Sequence, residues 1–247
     1  MSHVAQIREP DLDDPYLFEG LPGAGLVGTI AADHLARELE MELVATCECD
    51  GIPDVASFSD GERDVEAAVR VLAADDHDLM ALVSDVPISP SKADCFAGCV
   101  AEWIQDVGAT PILVSGLGDD DREGGPSDLY GIATGGAGDR FDALDVPAPA
   151  RSGQVTGPTG ALLAEARRRD IPSLGVIAAA DTRFPDPAAA RTVIERIVEP
   201  LADVEVDPER LEDQAADIRE AKRRLAEQLG QAEDDESSRA ITTGMYQ

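Results

Sequence analysis

The chain has 247 residues, of which 50 are Asp or Glu and 20 are Lys or Arg, for a formal net charge of -30, and only Lys92 and Lys222 are lysines. So acidic a surface repels nucleic acid and anionic membranes at low salt, which excludes both as partners. The carboxylates are spread along the whole chain, and at multimolar salt, where the Debye length is about 3 Å or less, their self-repulsion is screened, so the composition points to an extreme halophile of archaeal type.

This length holds one large α/β domain or a domain with an appendage. There is no run of eighteen apolar residues, and Met1 to Pro15 is polar and acidic, with neither a basic start nor an apolar stretch. We therefore expect a flexible N-terminus over 1–15 and a cytoplasmic protein.

In chain order, Tyr16 to Glu19 is a short strand and Leu26 to Leu39 a helix with Leu26, Ile30, Leu35 and Leu39 at near-helical spacing. Leu43 to Cys49 is a strand. Val55 to Phe58 and Val65 to Leu72 flank Ser59-Asp60-Gly61-Glu62 as a hairpin. Leu79 to Ser84 and Pro111 to Ser115 are continuous apolar runs, the pattern of strands buried on both faces of a mostly parallel sheet, with a helix from Ser91 to Val107 between them. A glycine- and acid-rich loop spans Gly116 to Pro126. Strand Leu129 to Thr134, helix Gly157 to Arg169, strand Ser173 to Ala180 and helix Pro187 to Leu201 complete the alternation. The expected fold is a three-layer α/β core over 16–206 with a mostly parallel mixed central sheet.

Four cysteines in a cytosolic chain are not expected to form disulfides. Cys47 and Cys49 share one face of a strand, and Cys95 and Cys99 share a helix face, as small buried hydrophobes do. Their spacing with His3, His34 or His77 matches no metal-site pattern, so no metal and no cofactor is expected.

The stretch Gly20-Leu-Pro-Gly-Ala-Gly-Leu-Val-Gly28 stands out. Gly23, Gly25 and Gly28 are spaced G-x-G-x-x-G between a strand and a helix, the arrangement that cradles a pyrophosphate on unpaired helical N–H groups. Glu48 or Asp50 could serve as the acid that grips a ribose. A mononucleotide P-loop is excluded, because Thr29 follows Gly28 with no lysine. The alternative assigns Gly20, Pro22, Gly23, Gly25 and Gly28 to a tight turn and to close packing of the first helix.

Beyond the core, Asp207-Pro208 starts a C-terminal helix over 207–230, with Leu211, Ala215, Ile218, Lys222, Leu225 and Leu229 in four-three steps and a stop at Gly230. Residues 231–247 form an expected flexible tail: an acidic, serine-containing spacer followed by Ile241-Thr-Thr-Gly-Met-Tyr-Gln247.

Leu17-Phe18-Glu19-Gly20-Leu21-Pro22-Gly23-Ala24-Gly25-Leu26-Val27-Gly28, with Ala31-Ala32-Asp33 and Leu35 after it, resembles the opening of the archaeal proteasome assembly chaperone family. Thr156-Gly157-Pro158-Thr159-Gly160, Leu162-Leu163 and Asp186-Pro187 resemble later blocks of that family in the same order. The resemblance spans about residues 10 to 230. It implies a nucleoside-phosphorylase-like fold used without catalysis, assembly into homo-oligomers, and the 20S proteasome α subunits as partner.

The resemblance also gives the tail a reading, because Met245-Tyr246-Gln247 fits the family's hydrophobic-Tyr-X ending. In that picture Met245 fills an apolar wall between α subunits, Tyr246 adds ring area and a hydroxyl hydrogen bond, and the Gln247 carboxylate meets a lysine. The fourteen residues from Gln231 to Gly244 would reach roughly 20 Å as a flexible coil. Several tails on one oligomer would bind by avidity. The competing expectation is a phosphorylase-like enzyme or small-anion binder using the glycine turn, with Arg151, Arg183 and His34 as its only candidate groups.

Overall fold

The computed structural model describes residues 3–58, 63–118, 126–181, 185–207 and 211. An eight-stranded mixed sheet runs through its middle, in the order β1-β3-β4-β5-β2-β6-β8-β7. The strands are β1 (His3–Gln6), β2 (Tyr16–Gly20), β3 (Glu42–Glu48), β4 (Val69–Ala74), β5 (Leu79–Ser84), β6 (Thr110–Gly118), β7 (Leu129–Thr134) and β8 (Ser173–Ala180). The four central strands β5, β2, β6 and β8 pair in parallel, while β1, β3 and β4 on one flank and β7 on the other pair antiparallel. The apolar runs lie in this centre. Every residue of β5 and all but Ile177 of β8 are buried, as strands covered on both faces must be.

Helices cover the two faces separately. On one face lie α1 (Val27–Glu38) and a C-terminal run made of α5 (Pro187–Val193), a π turn at Ile194–Val198 and α6 (Glu199–Ala202), over Phe18, Ile112, Leu174 and Val176. Pro200 supplies no N–H to the helical ladder, and the widened turn directly precedes it. On the other face α2 (Ala93–Val107) packs on α4 (Gly157–Arg169) above Leu17, Val71, Met80, Leu82 and Leu113. A short helix α3 (Asp139–Ala143), not expected from the sequence, lays Phe141 into the α1-side core.

Several expectations need correction. The segment expected to be loose at the N-terminus contains β1, registered against β3 from His3 opposite Glu48 to Gln6 opposite Ala45, and Gln6 Oε1 accepts from Trp103 Nε1 at 2.9 Å. Among the described residues the expected 55–72 hairpin shows one bridge, Ser57 opposite Glu66, with its turn at 59–62 lying outside them, and β4 starts only at Val69. β6 continues to Gly118, past the expected start of the glycine-rich loop.

The cysteines are also rearranged. Cys49 and Cys99 are joined in a disulfide with Cα atoms 6.2 Å apart, because α2 packs over the end of β3. Cys47 is the buried free thiol, pushed up to about 12 by burial, whereas Cys95 is exposed and not a core residue. Of the expected C-terminal helix only Asp207 and Leu211 are described, Leu211 being buried against the α1-side core.

Candidate functional site

β2 is central in the sheet, and the chain leaves it through the glycine stretch into α1. A Cβ at Gly20 would fall 2.4 Å from Ala32 Cβ, and one at Gly28 would fall 2.9 Å from the Glu19 carbonyl oxygen. The two bare positions let α1 lie directly on β2, where Thr29 Oγ1 donates to the Gly20 carbonyl at 3.2 Å. Gly25 and Leu26 follow each other in left-handed conformation, with φ of 65° and 51°. The Gly25 carbonyl accepts the Asp186 N–H at 2.8 Å, and the space on its Cα is closed by Ala180 Cβ at 3.0 Å and the Asp181 carbonyl at 3.1 Å. Gly116 of β6 meets the Ala24 carbonyl from another side, 2.3 Å from where its Cβ would be. Gly23 and the half-buried Pro22 are less constrained, since a Cβ on Gly23 meets only the Leu21 carbonyl at 4.0 Å.

This packing occupies the volume that a pyrophosphate would need at Gly25. The dinucleotide geometry is missing in a second respect. Glu48 ends β3 and Asp50 follows it, and β3 stands three places from β2 in the sheet, about 14 Å at the usual strand spacing, whereas a ribose-gripping acid belongs on a neighbouring strand. His34 lies buried on α1, on the opposite side of the sheet from Arg151, so these two do not converge. Arg183 lies outside the described residues, as do Met245, Tyr246 and Gln247. Among the described residues no group of three His, Cys, Asp or Glu side chains could hold a metal, and no helix is long and apolar enough to cross a membrane.

The side chain beneath the turn is Glu19, which was not singled out as a site residue in the sequence and is 1% exposed. Its Oε2 accepts the Val114 N–H at 3.0 Å and its Oε1 accepts the Thr159 hydroxyl at 3.0 Å, with the Leu21 N–H as a third donor. Burial pushes its carboxyl up to about 7 despite these donors, each of which favours the charged form. Thr159 stands in the first turn of α4, whose unpaired N–H groups and dipole favour a carboxylate. That turn is as crowded as the first one, because a Cβ on Gly160 would sit 2.3 Å from the Val155 carbonyl. Thus Glu19, Thr159 and the glycines around them tie two blocks 140 residues apart into one buried junction. A charged residue inside the apolar strand Leu17-Phe18-Glu19 was the available signal.

Next to the junction, at the carboxyl end of β6 and β8, lies a groove of about 770 Å³. Ile132 is on its α4 side, since a Cβ on Gly175 would meet Ile132 at 2.7 Å and Leu163 of α4 at 3.1 Å. Tyr130 and Ile177 share that face by strand alternation, Leu117 borders it, and Arg151 lies on the loop that closes it.

A profile of the PAC2 family matches residues 17–226. The chain belongs to the PAC2 family. An uncharacterised protein of Methanocaldococcus jannaschii is 27% identical over 223 residues, covering 88% of each chain. Among solved structures, Pyrococcus furiosus PbaA, an archaeal homolog of proteasome-assembly chaperone, superposes with a TM-score of 0.77 at 27% identity, over 93% of this chain and 99% of PbaA. Pyrococcus furiosus PbaB, an archaeal proteasome activator, shares the fold with a TM-score of 0.73 at 22% identity, over 91% and 98%. Both blocks that meet at Glu19 and Thr159 lie inside the PAC2 match, so the buried junction belongs to the part of the chain that the family shares.

Proposed function

We propose that this PAC2 protein is a non-enzymatic proteasome assembly chaperone or adaptor that binds the 20S core particle or its α subunits. The observation that carries the reading is the near full-length similarity to PbaA at 27% identity and a TM-score of 0.77. Support comes also from the junction, where Gly20, Gly25 and Gly28 are taken up by backbone and side-chain contacts instead of facing a ligand.

In this reading the body is a homo-oligomeric scaffold and Met245-Tyr246-Gln247 is the docking peptide. A three-residue contact is weak alone, but several copies on one scaffold raise effective concentration and avidity. The acidic surface suits concentrated salt, in which exposed charge contacts fade and apolar contacts persist. Met245 and Tyr246 therefore contribute more to docking than the terminal carboxylate.

Affinity capture from cell extract, read by mass spectrometry, tests this. Wild type should retain 20S α subunits, and Tyr246→Ala or removal of the last three residues should lower recovery at least tenfold. Equal recovery with all three proteins would sink the tail mechanism. No recovery with any of them would sink the proteasome reading itself.

A further inference from the structure

α4 covers only part of its side of the sheet. Near the start of β8 it packs closely, since a Cβ on Gly175 would lie 3.1 Å from Leu163. Two residues further on, Ile177 is the one residue of β8 that is not buried, and it lines the groove at the carboxyl end of the strands. Tyr130 and Ile132 of β7 and Ser115 of β6 are half-buried around it, and Leu117 is 51% exposed at its border. α4 begins at Gly157 and does not extend over this area, which residues 149–155 border instead. The groove is thus a gap in the helical layer, with apolar sheet as its floor.

Its lining has a chemistry unlike the rest of the surface. Among the described residues that line it there is no Asp or Glu, in a chain that carries 50. Arg151 is the only charged residue there, and it forms no ion pair with any described residue. Ser115 and Tyr130 add hydroxyls, and Ser152 and Gln154 stand exposed on the same loop as Arg151. A volume of about 770 Å³, an apolar floor and a few polar groups at the rim are the features of a site for a small organic molecule, for which about 300 to 1,000 Å³ is usual. No His, Cys or Lys is among these lining residues either, so none of them exchanges a proton near neutral pH. The groove is built to hold a molecule and not to turn it over.

We propose that this groove binds a small organic anion with a flat apolar body, of the class of aromatic carboxylates. The body lies on Ile132 and Ile177 against the ring of Tyr130, and the carboxylate pairs with the Arg151 guanidinium, whose planar fork matches its two oxygens. Both halves of the ligand are needed. An exposed charge pair is weak and is screened by salt, so an inorganic anion finds too little here, whereas burial of an apolar body persists in concentrated salt. A neutral body leaves Arg151 unpaired. The absence of carboxylates from the lining also matters, because a chain of net charge -30 repels an anion everywhere that its acids stand. This inference goes beyond the proteasome reading and does not depend on it.

Titration calorimetry of the full chain with 2-naphthoate, at low and at multimolar salt, tests this. Wild type should bind 2-naphthoate at both salts. At low salt the neutral 2-naphthamide, which lacks the charge, and benzoate, which lacks the second ring, should each bind about tenfold more weakly or worse, and inorganic phosphate should give no measurable heat. Arg151→Gln should weaken 2-naphthoate about tenfold at low salt, leave 2-naphthamide unchanged and keep the melting temperature, because Arg151 is exposed. Photolabelling with 4-benzoylbenzoate should mark residues 115–118, 130–132, 149–155 or 177, and excess 2-naphthoate should suppress the label. No binding of 2-naphthoate at either salt, or a label that falls elsewhere, would overturn the site. Equal affinity for 2-naphthoate and 2-naphthamide, or for wild type and Arg151→Gln, would overturn the role of Arg151 and with it the anion. Phosphate binding as tight as that of 2-naphthoate would overturn the apolar half.

Discussion

The junction around Glu19 and residues 50–58, the arm that leaves β3 and is described as far as Phe58, use their residues in opposite ways. At the junction the bare positions are closely filled: Gly20 meets Ala32, Gly28 meets the Glu19 carbonyl, Gly116 meets Ala24, and Glu19 itself takes three hydrogen bonds. The arm carries no recognisable motif and leaves its aromatic ring in solvent. The conspicuous sequence motif thus serves to bring a helix onto a strand. A dense motif is evidence of close packing before it is evidence of a ligand.

Five perturbations break or sharpen this contrast. The largest effect belongs to the clamp beneath the arm. The Cys49–Cys99 bond closes a loop of 50 residues, and by chain entropy its loss should cost about 4 kcal/mol, read as a lower melting temperature after reduction or in Cys99→Ser. If reduction leaves the melting temperature unchanged, the bond does not hold the arm's base.

Glu19→Gln comes next, and its effect depends on pH. The folded-state carboxyl is raised to about 7 from 4.5, so the folded protein holds a proton that the unfolded chain releases. The stability this provides is complete below pH 4.5 and is lost as pH rises through 7, a change on the order of 3 kcal/mol. Urea denaturation of wild type and Glu19→Gln across this range should therefore show the variant gaining on wild type as pH rises. A difference that stays constant with pH would remove Glu19 as the titrating group.

Gly20→Val places atoms where Ala32 Cβ already stands, 2.4 Å from the new Cβ, and should destabilise by about 2 to 3 kcal/mol in the same assay. Gly23→Ala, with 4.0 Å of clearance inside the same motif, should stay within about 0.5 kcal/mol of wild type. Equal losses at the two positions would mean that packing is not what the motif provides. On the arm, Phe58→Ser should change stability least, also within about 0.5 kcal/mol, because the ring is 80% exposed in the single chain.

Much of the core was legible in the residues, and the limits of that legibility are physical. α4 and β8 begin and end where their patterns predict, because Thr156, Pro158 and the apolar run from Ser173 carry local signals of capping and burial. β1 escaped notice because its four residues are polar enough for an edge strand and depend on β3 for their order. α3 is five residues long and has too few turns to show a period. The Cys49–Cys99 pair follows from the packing of α2 over the end of β3, which no spacing of cysteines reveals. Of the candidate site, the glycines were visible, but Glu19 was passed over although it stood among them.

What the chain's own residues determined was its set of elements, its acidic character and its family likeness, because strand alternation, helix period and the blocks at 17–28 and 156–160 are local properties written in order along it. The tertiary structure alone decided the strand order, which put Glu48 and Asp50 three places from β2 and so removed the dinucleotide geometry. It also decided that Glu19 and Thr159 meet, and that Phe58 stays in water while the other described phenylalanines do not. Those outcomes depend on distances between segments far apart in the chain, and only the pairing of strands in the sheet and the packing of helices on it set them.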